Sequence, residues 1–253
     1  MKTLSTVSKG DFILMDYVAK IKETDTVFDT NIDSVAKEAK IFKEDGIYEP
    51  MLVVVGEGWV LKGLDEKLVG IKVGEKTVIE LPPEKAFGPR DPSKIKLIPL
   101  RKFQQQKINP YPGMEVEVDG KLAVVRSVGS GRVQVDFNPP LAGKTLLYEV
   151  EVKKILQTPL EKVKALIHRR MPKIDPEKFN VEFLEKNITI VMPEEALNID
   201  RLQLVKRGLA FDIQKFFPDV EVVTFIDKYV KKKTSLEEKT KEEEVKPEQK
   251  SDQ

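Results

Sequence analysis

The sequence predicts an α+β fold built mainly on antiparallel strands, on three observations. Apolar residues alternate in "FILMDYVAKI" (12–21), "GEKTVIEL" (74–81) and "TLLYEVEVKKI" (145–155), which is the two-residue period of a half-buried strand. Helical spacing before residue 158 is confined to short stretches. After it the pattern becomes helix, strand, strand, helix, strand.

The elements follow in order. In the first strand Ile13, Met15, Tyr17, Ala19 and Ile21 share a face. "DSVAKEAKIFKEDG" (33–46) places Val35, Ala39 and Phe42 at helical spacing, with Asp33 or Ser34 as a cap and Gly46 as a stop. "MLVVVGEG" (51–58) reads as a buried strand ended by two glycines. Leu61, Leu64 and Leu68 form one stripe of a short helix that Gly70 terminates. The strand "GEKTVIEL" then meets four prolines within eleven residues, Pro82, Pro83, Pro89 and Pro92, with Phe87 among them.

Residues 89–137 read as a β-rich unit of short strands, with an Asp119-Gly120 hairpin turn and a Gly-Ser-Gly turn at 129–131. The alternating strand after it, with Leu146, Tyr148, Val150 and Val152 on one face, has no partner in that unit. It is expected to complete the earlier sheet, which makes 89–137 a domain inserted into a loop of a discontinuous domain, 1–88 and 138–157. Residues 158–230 are expected to form a C-terminal α+β domain. Its first helix has Thr158 as cap, Pro159 at the first helical position, and Leu160, Val163 and Ile167 along one face. Fourteen of the twenty-three residues in 231–253 are charged, seven of each sign, which predicts a disordered solvating tail.

Composition narrows the chemistry. Among 253 residues, 43 basic side chains oppose 42 acidic ones, so no global charge draws the chain to nucleic acid or to an acidic membrane. The absence of cysteine removes disulfides, thiolate catalysis and cysteine-bound zinc, and makes a cytoplasmic location the expectation. A single histidine, His168, removes most metal and triad chemistry, and at a helix end beside Arg169 and Arg170 it reads as a solvated charge. No metal and no cofactor are expected. No apolar run approaches the ~20 residues that span a bilayer, and "MKTLSTVSKGDF" lacks the apolar segment of a secretion signal.

Tyr17, "VFD" at 27–29, "VVGEGWVLKGLDEKLVGIKVGEK" at 54–76, "AFG" at 86–88 and "LAGKTLLYEVEV" at 141–152 together resemble the FKBP family of peptidyl-prolyl cis-trans isomerases. Within it, the chain is similar to SlyD-type and long archaeal members, whose flap loop is interrupted by a chaperone (insert-in-flap) domain. The resemblance implies an antiparallel sheet wrapped on a short helix and a pocket that takes the proline of an unfolded or partly folded polypeptide. It assigns Tyr17 and Phe28 to the pocket wall and Asp29 to a carboxylate near the bound proline. Val60 and Leu61 become a flank whose backbone meets the ligand, Phe87 the ring at the flap tip, and Tyr148 the aromatic on the closing strand. Leu64 stands where the familiar floor has tryptophan, and Met51 where many members have an aromatic. It also implies a homodimer paired through 158–230. Taken one at a time the same residues have plainer readings: Tyr17 and the leucines as core, Asp29 as a turn or helix cap, Trp59 as the cap of a strand end or part of a surface patch.

Two readings of the insert stand together. Ile98, Leu100, Phe103 and Tyr111 offer apolar surface for extended polypeptide added to a strand edge, or they fill the core of a unit of ~50 residues. Functionally, the expectation is an isomerase that accelerates Xaa-Pro isomerisation during folding, with chaperone activity through the insert. The competing reading is a holdase chaperone with a weak or vestigial pocket, and a third is a scaffold whose C-terminal unit carries the main task.

Overall fold

In the computed structural model, which describes residues 5–229, β1 (Phe12–Ile21) is the central strand of the first sheet. Along one edge it pairs antiparallel with β9 (Leu146–Leu156) over its whole length. On the other edge it is shared: β2 (Thr26–Thr30) pairs with residues 18–21, and β3 (Met51–Val54) with residues 12–15. β4 (Lys76–Leu81) completes the order β2-β1-β9-β4. The strand after the insert thus pairs with the strand before the prolines, residue for residue from Lys76↔Glu151 to Leu81↔Leu146.

One face of this sheet closes on α2 (Lys62–Leu68), whose Leu64 and Leu68 pack with Met15, Ile79, Leu146 and Val150 in a single core. Burying a leucine side chain stabilises by ~1.5–3 kcal/mol, so these two contacts are enough to hold a helix of two turns that would not persist alone. Gly70, at φ +92°, ends the run in a conformation costly for other residues.

The helix expected over 33–46 is shorter. α1 spans Asp33–Glu38, with no side-chain cap at its start; the Asp33 carboxylate accepts instead from Lys37 at 2.7 Å. It stops because Lys40 adopts φ +57°, which lets Ile41 N–H donate to Ala36 O at 2.9 Å and Lys40 N–H to Lys37 O at 3.1 Å, a left-handed helix stop. Phe42 therefore leaves the helix and stacks on Tyr48 at 5.0 Å between centroids.

Between β4 and β9 lies a second sheet with its own core. β5 (Ile95–Pro99), β6 (Glu115–Val118), β7 (Lys121–Gly129) and β8 (Arg132–Asp136) take the order β5-β8-β7-β6, all antiparallel. Both hairpins turn on residue pairs with positive φ, Asp119-Gly120 (52°, 75°) and Ser130-Gly131 (50°, 70°), the twist that suits two-residue loops. A short helix not foreseen from the sequence, α3 (Leu100–Gln105), docks through Phe103 against Val116, Val125, Val133 and Val135. Leu100 packs on the same core from three residues earlier, and the other four residues are polar, so two apolar positions are too few to read as a period.

The described residues divide into two compact units, one up to residue 158 and one from residue 159 on. In the second, α4 (Pro159–Arg170) and α5 (Leu202–Phe216) accompany β10 (Asn180–Leu184), β11 (Asn187–Met192) and β12 (Val222–Asp227). β10 and β11 form a hairpin, and β12 returns after α5 to lie parallel to β11. On α4 the buried residues are Val163, Leu166 and Ile167; Leu160, expected on the same face, is 40% exposed in the first turn. The Arg170 guanidinium reaches Asp212 on α5 with two bonds to Oδ2, 2.9 and 2.6 Å. The tail expected over 231–253 lies outside the described residues.

Candidate functional site

The first sheet and α2 leave a cavity of about 200 Å³ between them. It is lined by Met15 and Tyr17 of β1, Asp29 of β2, Met51 of β3, Tyr148 of β9, and Trp59, Val60, Leu61 and Leu64 at the start of α2.

Register explains how distant residues converge. Asp29, Ala19, Tyr148 and Ile79 form one row across β2, β1, β9 and β4, and directly opposed residues share a face. The methyl of Ala19 leaves the space between Asp29 and Tyr148 open. In β2 the pairing passes from Ala19↔Asp29 to Lys20↔Val27, so Phe28 is the extra residue of a β-bulge. Regular alternation would send Phe28 and Asp29 to opposite faces. The bulge turns both toward the tyrosines: Phe28 meets the Tyr148 ring edge-on at 6.4 Å, and Asp29 Oδ2 accepts from the Tyr17 hydroxyl at 2.9 Å.

Tyr17 sits where β1 passes from one edge partner to the other, and Thr30 and Asn31 fill that gap. Asn31 Oδ1 accepts from Tyr17 N–H at 2.8 Å, while its amide donates to Met15 O at 2.9 Å and Glu49 O at 2.8 Å. Thr30 Oγ1 donates to Tyr17 O at 2.7 Å. Three strands are thus tied at the residue whose hydroxyl faces Asp29. Sequence reasoning missed both residues; the polar pair directly after "VFD" was the available signal.

The opposite wall is fixed by Asp65 of α2, which is buried. One carboxylate oxygen accepts from Gly56 N–H at 2.8 Å and the other from Gly58 N–H at 2.9 Å. Both glycines have positive φ, so the loop turns back and delivers Trp59 and Val60 to the cavity. Gly63 serves the flap. A Cβ there would lie 2.7 Å from Lys85 O, so only glycine lets the turn at 83–85 rest on α2.

Both phenols of the cavity are held in the protonated form. Burial pushes the Tyr17 phenol upward, and the charge and hydrogen bond of Asp29 push it further in the same direction. Burial, followed by the Asp29 charge, brings Tyr148 up to about 12. Both hydroxyls therefore remain donors. Among the described residues no group of three or more His, Cys, Asp or Glu side chains could hold a metal ion, and no helix is long and apolar enough to cross a membrane.

Of the residues singled out from sequence, Tyr17, Asp29, Met51, Val60, Leu61, Leu64 and Tyr148 come together in one lining. Phe28 backs Tyr148 without lining the cavity. Phe87, expected to face the substrate, is 41% exposed and outside the lining, because the backbone turns at Gly88 (φ +82°) and Ala86 takes the inward place. Trp59, read as a strand cap or surface patch, belongs to the lining, as does Met15.

In the inserted sheet Phe103 is 1% exposed, which corrects its reading as contact surface: this small unit needs the ring to close its core. Leu100 packs against the same core, Tyr111 is 62% exposed, and Ile98 both packs on the core and lines a groove of about 750 Å³. Asp136, 1% exposed, ties the two ends of the insert together. It accepts from Arg90, from Arg126 at 2.9 Å and from Asn138 N–H at 2.9 Å, while Asn138 donates to Asp91 O at 2.9 Å.

Comparison with known proteins gives the family. A family model described as "FKBP26, IF domain" matches residues 96–141, and one described as "FKBP26_C-terminal" matches residues 159–230. A short-type peptidyl-prolyl cis-trans isomerase of Methanocaldococcus jannaschii is 36% identical over 152 residues, 60% of this chain and 96% of the relative. An FKBP-type 16 kDa peptidyl-prolyl cis-trans isomerase of Escherichia coli is 35% identical over 112 residues, 42% of this chain and 74% of the relative. The FKBP-type peptidyl-prolyl cis-trans isomerase SlyD of Helicobacter pylori is 25% identical over 160 residues, 61% of this chain and 78% of the relative.

Proposed function

Because the chain belongs to the family of FKBP-type peptidyl-prolyl cis-trans isomerases, we propose that its cavity receives the proline of an unfolded or partly folded polypeptide and speeds rotation about the preceding bond. The observation that carries this reading is the cavity itself: aromatic and aliphatic walls around one carboxylate that a phenol already engages.

Such a site needs no nucleophile. The barrier to rotation, ~18–20 kcal/mol, is the loss of amide resonance. A planar imide is strongly dipolar and well hydrated, whereas the twisted form has lost that charge separation. Transfer into a dry apolar cavity penalises the planar state more, which is differential binding in favour of the transition state. Met51, Trp59, Val60, Leu61, Leu64 and Tyr148 supply the dry surface. Tyr17 and Asp29 orient the bound chain, and Phe87 on the flap meets it from outside. A tenfold acceleration needs only ~1.4 kcal/mol of this preference.

The inserted sheet adds the holding function of a chaperone. Its support is the groove containing Ile98 and the edges of β5 and β6, which have no further strand partner among the described residues. A second binding surface raises the effective concentration of an unfolded chain near the cavity. Residues 158–230 serve as the dimer interface in this reading, supported by exposed Phe183 and Leu184 on the edge strand β10 and by exposed Leu204 and Phe211 on α5.

A protease-free kinetic assay of Xaa-Pro isomerisation in a short peptide tests the central reading. Acceleration by the full chain is expected; an unchanged spontaneous rate overturns it and leaves the holdase reading in place.

A further inference from the structure

We propose that the groove of the inserted sheet selects extended polypeptide segments that carry acidic residues among apolar ones. The inference rests on the reading of that sheet as a holder of unfolded chain and adds which chains it holds.

The groove lies between the edge strand β5 and the β6–β7 hairpin. Its apolar floor includes Ile98, the buried Val118 and the half-buried Phe137. Its rim is charged in one sense: Lys94, Lys96, Lys102 and Lys121 stand against a single acidic residue, Asp119. That one carboxylate is already occupied, since both of its oxygens accept from Lys102, at 2.7 and 2.8 Å. Lys94, Lys96 and Lys121 are exposed and form no ion pair of their own among the described residues. Lys96 leans over the Phe137 ring at 5.9 Å, which sets a cation directly above the apolar floor.

This bias is local. Residues 89–137 contain nine basic and five acidic side chains, in a chain whose 43 basic and 42 acidic residues otherwise balance. Of the five acids only Asp119 lines the groove; Glu115 and Glu117 stand on β6 outside the lining, and Asp91 and Asp136 are engaged at the ends of the insert, where the Asp91 charge also acts on Lys94. An occupant with the opposite charge pattern gains from three exposed ammonium groups that no ion pair holds among the described residues, and a basic occupant meets repulsion from all of them.

The edge geometry favours polypeptide over nucleic acid. β5 pairs only with β8 among the described residues, so its outer backbone groups are open to an added strand. A strand bound there alternates its side chains between groove and rim, which matches apolar residues alternating with acidic ones. The single aromatic ring of the groove, with a lysine over its face, offers no series of stacking platforms for bases.

The test uses the full chain and three proline-free, dye-labelled peptides of equal length. Valine and leucine alternate with glutamate in the first, with serine in the second and with lysine in the third. Binding is read by fluorescence anisotropy at low and at high salt. The expected result is about tenfold tighter binding of the glutamate peptide than of the lysine peptide at low salt, shrinking as salt rises. The chain carrying Lys94→Glu, Lys96→Glu and Lys121→Glu should reverse the order, and the neutralising Lys→Gln triple should abolish it. Equal affinity for all three peptides overturns the charge selection while leaving the holding function intact. Binding of none of them overturns both. Tighter binding of a single-stranded RNA oligomer than of the glutamate peptide assigns the rim to nucleic acid and overturns the proposal as well.

Discussion

Replacement of Asn31 by alanine tests whether the cavity depends on the polar filler at the strand exchange on β1. Asn31 is 7% exposed and makes three hydrogen bonds, to Tyr17 N–H, Met15 O and Glu49 O. The substitution removes all three and leaves the Met15 carbonyl stranded in the core. At ~1 kcal/mol net for each bond, and more where the abandoned group is buried, the loss is about 3–4 kcal/mol. That is a large part of the ~5–15 kcal/mol by which a typical domain is stable. Trp59, the only tryptophan of the chain, lies in the cavity, so its fluorescence reports urea unfolding of this sheet directly. The midpoint should fall markedly, and in native conditions the isomerisation rate should drop at least fivefold because Tyr17 is no longer held against Asp29. Asn31→Asp restores an acceptor for Tyr17 N–H but no donors for the two carbonyls, so it should rescue little. A loss below ~1 kcal/mol with full activity would refute the idea that this side chain positions the cavity.

Other outcomes follow from the same geometry. Asp29→Leu removes the acceptor of the Tyr17 hydroxyl and should lower kcat/KM about three- to tenfold with little change in stability, since the bond lies at an exposed edge. An unchanged rate in the peptide assay counts against an orienting role for the pair. With Tyr17 pushed upward and Tyr148 at about 12, kcat/KM should be flat from about pH 6 to about pH 9; a limb inside that range would mean a proton moves in the rate-limiting step. Burial pushes the Asp136 carboxyl up, but its bonds to Asn138, Arg126 and Arg90 outweigh this and bring it down to about 2. Its folded value therefore lies below the unfolded ~3.9, so its stabilisation, on the order of 2 kcal/mol, is complete above that value and disappears as pH falls toward 2. Urea midpoints measured from neutral pH down to about 3 should show this loss in the parent chain and a shallower one in Asp136→Asn. In the second unit a Cβ at Gly208 would lie 2.6 Å from Arg170 Nη1, so Gly208→Ala should displace the guanidinium from Asp212, while alanine in the interior of α5 gains ~0.5–1 kcal/mol; a net loss of about 1 kcal/mol is expected, and an equal or raised denaturation midpoint would show that the pair relaxes freely. Light scattering of the chain ended at Gln157 should give half the mass of the full chain's assembly after correction for length, and an unreduced assembly would remove the second unit from the interface.

Strand existence was legible because alternation is written directly into β1, β4 and β9, whose inward residues are the apolar ones. The hairpin turns were legible because few residues other than Gly, Asn and Asp tolerate positive φ. The helix over 33–46 was overextended because helical spacing of Val35, Ala39 and Phe42 has no way to register that Lys40 would turn left-handed. α3 was invisible because a single apolar pair, Leu100 and Phe103, in a six-residue stretch is too short to show a period.

The sequence by itself determined the α+β class, the interruption at the prolines, the absence of thiol chemistry and a set of aromatic and aliphatic residues at spacings that resemble one family. Tertiary structure alone decided which of them share a space. A bulge at Phe28 rotated Asp29 toward Tyr17, Asp65 bent two glycines so that Trp59 entered the cavity, and the turn at Gly88 left Phe87 outside it. Alternation specifies the face of a side chain only while pairing stays regular. Where a bulge, a buried carboxylate or a positive φ breaks that regularity, the direction of a side chain depends on partners remote in the chain, and these were the positions that built the site.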